Sequence, residues 1–178
     1  MTLSFTFRNG SVKDLMNQGL VARYTASMLN KGTTSKSRQA IQDKLSAIKS
    51  SISFGGSNGR TTVRISSTEE NLDEALKLMT EMLKNPAFDA KELEKLKTQS
   101  LAGIEQNKSQ PTYLASRKMS QINQKFKKGH PLYSMTIDEE IQAIKDVSVE
   151  KLKAYYKKFY GISNSATLVA IGNIDENK

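Results

Sequence analysis

The chain has 178 residues, of which 27 are basic and 18 acidic, with one histidine and no cysteine. This length suits one ordinary domain with a sizeable core. The absence of cysteine excludes disulfides, thiolate metal sites and a cysteine nucleophile, and a single histidine leaves little for a histidine-rich zinc site or a Ser-His-Asp triad. No apolar run approaches the roughly 18 residues of a membrane span, and the first residues do not resemble a signal peptide.

The net charge of +9 is unevenly distributed. Residues 1–68 carry ten basic and two acidic side chains. Residues 69–107 carry five basic and nine acidic ones, and residues 108–128 carry six basic and no acidic ones. Such basic regions suit an anionic partner, an acidic peptide or a nucleic acid, or else serve as a solubilising surface. Because no aromatic base-stacking motif accompanies the charge, a nucleic-acid module is the weakest of these hypotheses, and we expect no nucleic-acid partner.

The first third of the chain predicts a strand, two helices and a hairpin. Residues 3–7 alternate apolar and polar side chains, as a strand with one buried face does. A helix opens near Asn17, and a second follows residues 33–35. Residues 51–54 and 61–65 alternate again around the glycine loop 55–59, which indicates a β-hairpin. The apolar stripes of the two helices are Leu20, Tyr24 and Met28, then Ile41, Leu45 and Ile48.

The remainder predicts a block of about five helices and a final strand. Residues 67–70 fit a capping box before a helix, and residues 89–92 cap the next one. After Pro111, a further amphipathic helix is expected, with Leu114, Met119, Ile122 and Phe126 in the core. Short helices are expected over 137–144 and 148–160. The nearly all-apolar residues 166–172 predict a buried central strand.

Strands and helices do not alternate regularly, which disfavours a parallel, doubly wound sheet. The order favours a single α+β domain over residues 1–178, with a mainly antiparallel sheet and helices packed on one face.

Three features that could carry chemistry have simpler structural interpretations. His130 lies in a Gly-His-Pro turn, and Asp138, Glu139 and Glu140 stand at a helix start, where acids complement the helix dipole. The glycine loop 55–59 lacks a phosphate-binding pattern and joins two strands. From the residue types alone, no active site is predicted.

Residues 19–33, Gly-Leu-Val-Ala-Arg-Tyr-Thr-Ala-Ser-Met-Leu-Asn-Lys-Gly-Thr, resemble the signature helix of the insulinase/pitrilysin (M16) metallopeptidase family. In active members that helix carries an inverted zinc motif, H-x-x-E-H, before a similar Met-Leu and Gly-Thr ending. The resemblance continues, in order, through residues 70–72, 85–88, 92–97, 159–166 and 170–175. It covers nearly the whole chain.

The resemblance does not extend to the residues that bind zinc and activate water in active members of the family. Aligned on the shared ending, the two histidine positions fall on Arg23 and Ser27, and the glutamate that deprotonates the metal-bound water falls on Ala26. A third ligand, a downstream glutamate, has no counterpart in residues 101–104, and Glu105 is offset by roughly 100° on the helix. Because Arg23 is cationic and Ala26 has no base, we expect this chain to bind no metal and to have no catalytic residue.

The resemblance implies the first subdomain of the second, non-catalytic half of a long bacterial-type zinc protease. We expect an excised fragment that lacks its first strand or strands and the following partner subdomain. Zinc would be bound in a catalytic half, and this chain would form a wall of the cleft and hold peptide, added as a strand on a sheet edge. The alternative is a structural or core-subunit domain without a peptidase role. We further expect self-association of the fragment and a periplasmic or membrane-associated parent.

Overall fold

The computed structural model describes residues 1–57, 59–160 and 166–172, and these residues form four strands and seven helices. In chain order the elements are β1 Thr2–Arg8, α1 Gly19–Met28, α2 Arg38–Ala47, β2 Ser51–Ser57, β3 Arg60–Ser66, α3 Leu72–Lys84, α4 Ala90–Asn107, α5 Pro111–Ile122, α6 Ile137–Lys145, α7 Val149–Phe159 and β4 Ala166–Ile171.

The strands form one antiparallel sheet in the order β2-β3-β1-β4. Side chains of β2 and β3 alternate between a buried and an exposed face, as the period of two requires. The buried face carries Ile52, Phe54, Val63 and Ile65 beneath the helices, and the other face is rich in serine, threonine and arginine. The predicted α+β class, with an antiparallel sheet and helices on one face, is confirmed.

Side-chain caps begin several helices. The Asp89 carboxylate accepts from the Glu92 backbone N–H at 3.0 Å, as predicted for α4, and Thr136 with Glu139 forms a capping box on α6. The capping box predicted at residues 67–70 is wrong, because α3 begins after Asn71. The Ser67 hydroxyl instead bonds the Ser50 hydroxyl, joining two loops.

The last strand differs from the sequence prediction. β4 pairs only with β1 among the described strands, so it lies at an edge of the sheet and all six of its residues are exposed. Its apolar composition predicted a buried central strand, and that prediction is wrong. Burial depends on whether helices cover the strand, and the helices that pack on the sheet contact β2.

Helix α5 also differs from its prediction. Its start at Pro111 agrees, but it ends at Ile122, before Phe126, which the prediction placed on it. None of its residues is buried, and Leu114, Met119, Ile122 and Phe126 are exposed. The expectation that this stripe is core is therefore wrong. The side of α5 that faces the rest of the domain is the polar one, which carries Arg117.

Helix α1 lies between β2 and α7. A buried polar network joins α7 to the sheet: the Tyr155 hydroxyl donates to the Asn9 carbonyl at 2.8 Å, and the Thr61 hydroxyl bonds that of Tyr160 at 2.6 Å. Burial raises the pKa of the Tyr160 hydroxyl to about 12, so the network is neutral at ordinary pH. These contacts set the position of α1, which carries the candidate motif.

Candidate functional site

The three motif positions, Arg23, Ala26 and Ser27, lie in α1. Arg23 is half-exposed, with 48% of its side chain accessible, and its guanidinium Nη2 lies 3.7 Å from Oε1 of Glu140 on α6. The position of the first histidine in the zinc motif therefore holds a cation that is already engaged with a carboxylate. A guanidinium is not deprotonated in proteins and cannot bind a dication.

The position of the catalytic glutamate, residue 26, has no room for a longer side chain. Ala26 is completely buried, and its Cβ lies against Gly56 of β2 so closely that an ideal Cβ built on Gly56 would come within 2.5 Å of it. This contact lets α1 pack directly on the strand. A longer side chain at position 26 would need space that the strand occupies.

The side chain at the second histidine position, Ser27, and the nearby Glu105, which is offset from the third-ligand position, both have local partners. The Ser27 hydroxyl donates to the Arg23 carbonyl one turn back at 3.1 Å. Glu105 on α4 forms an ion pair with Lys108 at 2.8 Å. Arg23, Ala26 and Ser27 thus do not fit a zinc ion. In the part of the chain that the structure describes, no three histidine, aspartate or glutamate side chains come together as a metal site.

A polar groove of about 1120 Å³ opens beside Arg23. We call it the α1–α5 groove, because α1 and the inward side of α5 form two of its walls and α6 with the preceding loop forms the rest. The side chains most used below are Arg23, Tyr113, Arg117, His130, Tyr133 and Glu140. Ser57, at the end of β2, also borders it.

Arg117 and Glu140 form the ion pair that holds α5 over the groove. Nη1 of Arg117 lies 2.7 Å from Oε2 of Glu140 and 2.8 Å from the Tyr113 hydroxyl, and Nη2 donates to the Met135 carbonyl at 2.8 Å. Burial lowers the pKa of Arg117, but the hydrogen bond and charge of Glu140 outweigh that effect, so the pKa is raised. The pair is largely shielded from water, with about a fifth of each side chain exposed.

The loop between α5 and α6 is held by Glu139. Its carboxylate pairs with Lys128 at 2.8 Å and accepts from the Thr136 backbone N–H at 2.9 Å and the Tyr133 hydroxyl at 3.1 Å. These bonds lower the pKa of Glu139 to about 2, with the Lys128 bond contributing most. The loop is therefore a fixed wall of the groove at neutral pH.

His130 has a structural role in this loop. Its Nδ1 accepts from the Leu132 backbone N–H at 3.0 Å, and its ring stacks on Phe126 with centroids 4.1 Å apart. It lies in a turn, as predicted, and its ring borders the groove.

The sequence did not reveal the pairing of Arg117 with Glu140. Glu140 was interpreted only as an acid at a helix start, and Arg117 was only counted among the six basic residues of 108–128. One available signal was a tyrosine at 113 four residues before the arginine, a spacing that brings two side chains together on a helix. The partner on α6 is 23 residues away in sequence and could not be paired by spacing alone.

Comparison with known proteins identifies the family. Residues 1–140 match the family description Insulinase (Peptidase family M16). The chain belongs to this family. It is 27% identical over 172 residues to Non-peptidase homolog YmxG of Helicobacter pylori (strain ATCC 700392 / 26695), covering 97% of this chain and 39% of that protein.

Solved M16 structures share the fold. A peptidase M16 inactive domain from Pseudomonas fluorescens superimposes with a TM-score of 0.81 and 27% identity, over 99% of this chain and 42% of that one. The periplasmic protease PqqL from Escherichia coli gives a TM-score of 0.74 at 16% identity, over 99% of this chain and 20% of that one. The chain thus spans about two fifths of the first two M16 relatives. None of its described helices is both long and apolar enough to cross a bilayer.

Proposed function

We propose that this chain is a non-catalytic domain of an M16-type zinc metallopeptidase, forming a wall of the cleft and holding substrate peptide while another half hydrolyses it. The observation that carries this proposal is the set of contacts that the three motif residues of α1 make. Arg23 is in an ion pair, Ala26 is packed against Gly56, and the Ser27 hydroxyl is bonded to its own helix. No group there could activate a water molecule.

Peptide binding is supported by the relation of the sheet to the groove. β2 is an edge strand of the described sheet, and its last residue, Ser57, borders the α1–α5 groove. An extended peptide added along β2 would pair through its backbone and continue past Ser57 towards Arg23. Strand addition binds extended chains without requiring a particular sequence, which suits a protease that accepts varied peptides.

The proposed partners are the catalytic half, which would bind the zinc ion, and an adjoining subdomain. Support comes from the relatives, in which a region matching this chain is less than half of the protein. We propose a periplasmic or membrane-associated parent, for which the periplasmic PqqL gives the precedent.

A second candidate is a structural domain in a protein without peptidase activity. It is favoured by one observation, the 27% identity to a protein named as a non-peptidase homologue. The two candidates differ in one measurable respect, because only the first requires that the chain bind peptide.

Zinc titration tests the non-catalytic assignment. Calorimetry near neutral pH, with metal analysis of the purified chain, should detect no stoichiometric zinc. Submicromolar, stoichiometric binding would contradict the argument from Arg23, Ala26 and Ser27 and would restore catalysis as a hypothesis for this chain.

A further inference from the structure

Two arginines in the α1–α5 groove share one carboxylate. Glu140 is bound closely by Arg117, at 2.7 Å, whereas Arg23 lies 3.7 Å from its other oxygen. That distance is too long for a hydrogen bond. A guanidinium has five N–H donors in a fork that matches a carboxylate. Among the residues that the structure describes, none accepts a hydrogen bond from the Arg23 side chain, so its donors can serve another acceptor.

Arg117 also has more donors than acceptors around it. Its two terminal nitrogens are bonded to Glu140, Tyr113 and the Met135 carbonyl, but its Nε is buried and has no hydrogen-bond partner among residues 1–57, 59–160 and 166–172. Buried donors without partners are uncommon because they cost free energy. Glu140, Tyr113 and the Met135 carbonyl therefore do not satisfy every donor of Arg117.

Three further acids line the groove, Asp138, Glu139 and Asp146, and in the part of the chain that the structure describes none of them is hydrogen-bonded to Arg23. The Asp146 side chain accepts from the Gln142 amide at 2.9 Å. The Glu139 carboxylate is occupied by Lys128, Tyr133 and the Thr136 backbone. Lys151, a further cation on the groove wall, donates to the backbone carbonyl of Asp146 at 2.7 Å. Four cationic and four acidic side chains line the groove, so its formal charge is balanced. The Arg23 guanidinium is nevertheless half-exposed there, and its one ion pair among the described residues is the 3.7 Å contact with Glu140.

We infer that Arg23, at the position where active relatives bind zinc, forms a subsite for a carboxylate of the bound peptide. The inference rests on the proposed function and adds a specificity to it. Arg23 would bind an acidic side chain or a C-terminal carboxylate of a peptide that extends past Ser57, using the donors that Glu140 does not engage. A carboxylate fits because the fork of a guanidinium binds it through two parallel hydrogen bonds.

The test uses three short fluorescent peptides of one extended sequence, with binding followed by anisotropy. The first contains glutamates and has an amidated C-terminus. The second has glutamine in place of glutamate and the same amide, and the third has glutamine and a free C-terminal carboxylate. The wild-type chain should bind the first or the third about tenfold more tightly than the second, and the preferred one identifies the source of the carboxylate.

Arg23→Gln should reduce that preference to within about twofold, and Arg23→Lys should retain part of it, because lysine keeps the charge but not the fork. Arg38→Gln is the matched control. Arg38 is also half-exposed and lies 3.5 Å from a carboxylate, that of Glu92, which Lys95 binds at 2.7 Å. It does not line the groove, and its loss removes the same charge.

The outcomes separate the inference from the proposed function. Equal binding of all three peptides, or equal effects of Arg23→Gln and Arg38→Gln, would overturn the subsite and leave peptide binding intact. Failure of every peptide to bind the wild-type chain would overturn the proposed function and the subsite with it.

Discussion

Helices α3 and α5 have nearly the same length and both are amphipathic, yet opposite faces of the two helices point towards the rest of the domain. α3 buries its apolar residues Ala75, Leu78, Met79 and Met82 in the core. α5 buries none, and it attaches to the domain through Arg117, with Met119 and Ile122 facing solvent.

The difference shows that an apolar stripe indicates a helix but not what covers it. For α3 the covering layer is supplied by this chain, including β2. For α5 the strongest local interaction is ionic and lies on the polar side, so the apolar side is left for solvent or a partner. An exposed apolar group of this kind is typical of an interaction surface.

The largest expected effect comes from truncating the same residue type in the two helices. Met82 is 1% exposed and Met119 is 61% exposed. Met82→Ala leaves a cavity and should cost about 2–4 kcal/mol of the free energy of unfolding, whereas Met119→Ala should change it by less than about 0.5 kcal/mol. Urea unfolding followed by circular dichroism measures both, and equal losses would mean that the α5 face is covered in solution.

The next largest effect should follow from breaking the ion pair that attaches α5. Arg117→Gln leaves the Glu140 carboxylate without its closest partner, and we expect a loss of about 1–2 kcal/mol, reduced from the value for a deeply buried pair because a fifth of each side chain is exposed. Hydrogen exchange should become faster in α5 and remain slow in α3.

The double variant Arg117→Gln/Glu140→Gln provides the control. Because it removes the unpaired charge, it should recover part of the loss. Unchanged exchange in α5 after Arg117→Gln would show that another contact attaches this helix.

Acid should reduce the stability of the parts of the domain around α3 and around α5, in each case by protonating one glutamate. Hydrogen bonds from Lys36, Ser35 and Thr33 lower the pKa of Glu81 on α3 from 4.5 to about 2. Glu139, in the first turn of α6 and bonded to the loop after α5, also has a pKa of about 2. Since each folded pKa lies below the unfolded one, the stabilisation is complete above about pH 4.5 and is lost as pH falls towards 2.

Glu81→Gln should therefore reduce the dependence of stability on pH between about pH 5 and pH 2, as measured by thermal unfolding at a series of pH values. Glu94→Gln, at an exposed glutamate of α4 paired with Lys97, is the control and should leave the slope near that of the wild type. Identical slopes for all three proteins would remove Glu81 as a source of acid sensitivity.

The smallest expected effect on stability is at the exposed end of α5. Ile122 is 67% exposed, so Ile122→Ser should change the free energy of unfolding by less than about 0.5 kcal/mol. It should also weaken any self-association of the chain, which sedimentation velocity would detect. A large loss of stability would indicate that Ile122 is buried against a second copy.

Most secondary structure could be predicted because its signals are local. The hairpin of β2 and β3, the Asp89 cap and the apolar stripe of α1 through Tyr24 and Met28 depend on residues a few positions apart. The start of α3 was misplaced because Ser67 bonds Ser50, a residue of another loop. The apolar run of β4 could not reveal that the helices cover the opposite part of the sheet.

For the candidate site, the sequence by itself determined which residues stand at the motif positions and that Arg23, Ala26 and Ser27 lack the chemistry of a zinc site. The positions follow from the resemblance to the M16 signature helix, and the missing chemistry follows from the side chains that stand there; neither needs tertiary information. Only the tertiary structure decided that Ala26 is closed by Gly56, that Arg23 and Arg117 share Glu140, and that α5 turns its apolar face outward. These facts depend on contacts between residues 23 to 117 positions apart, and such contacts form only when the helices pack together.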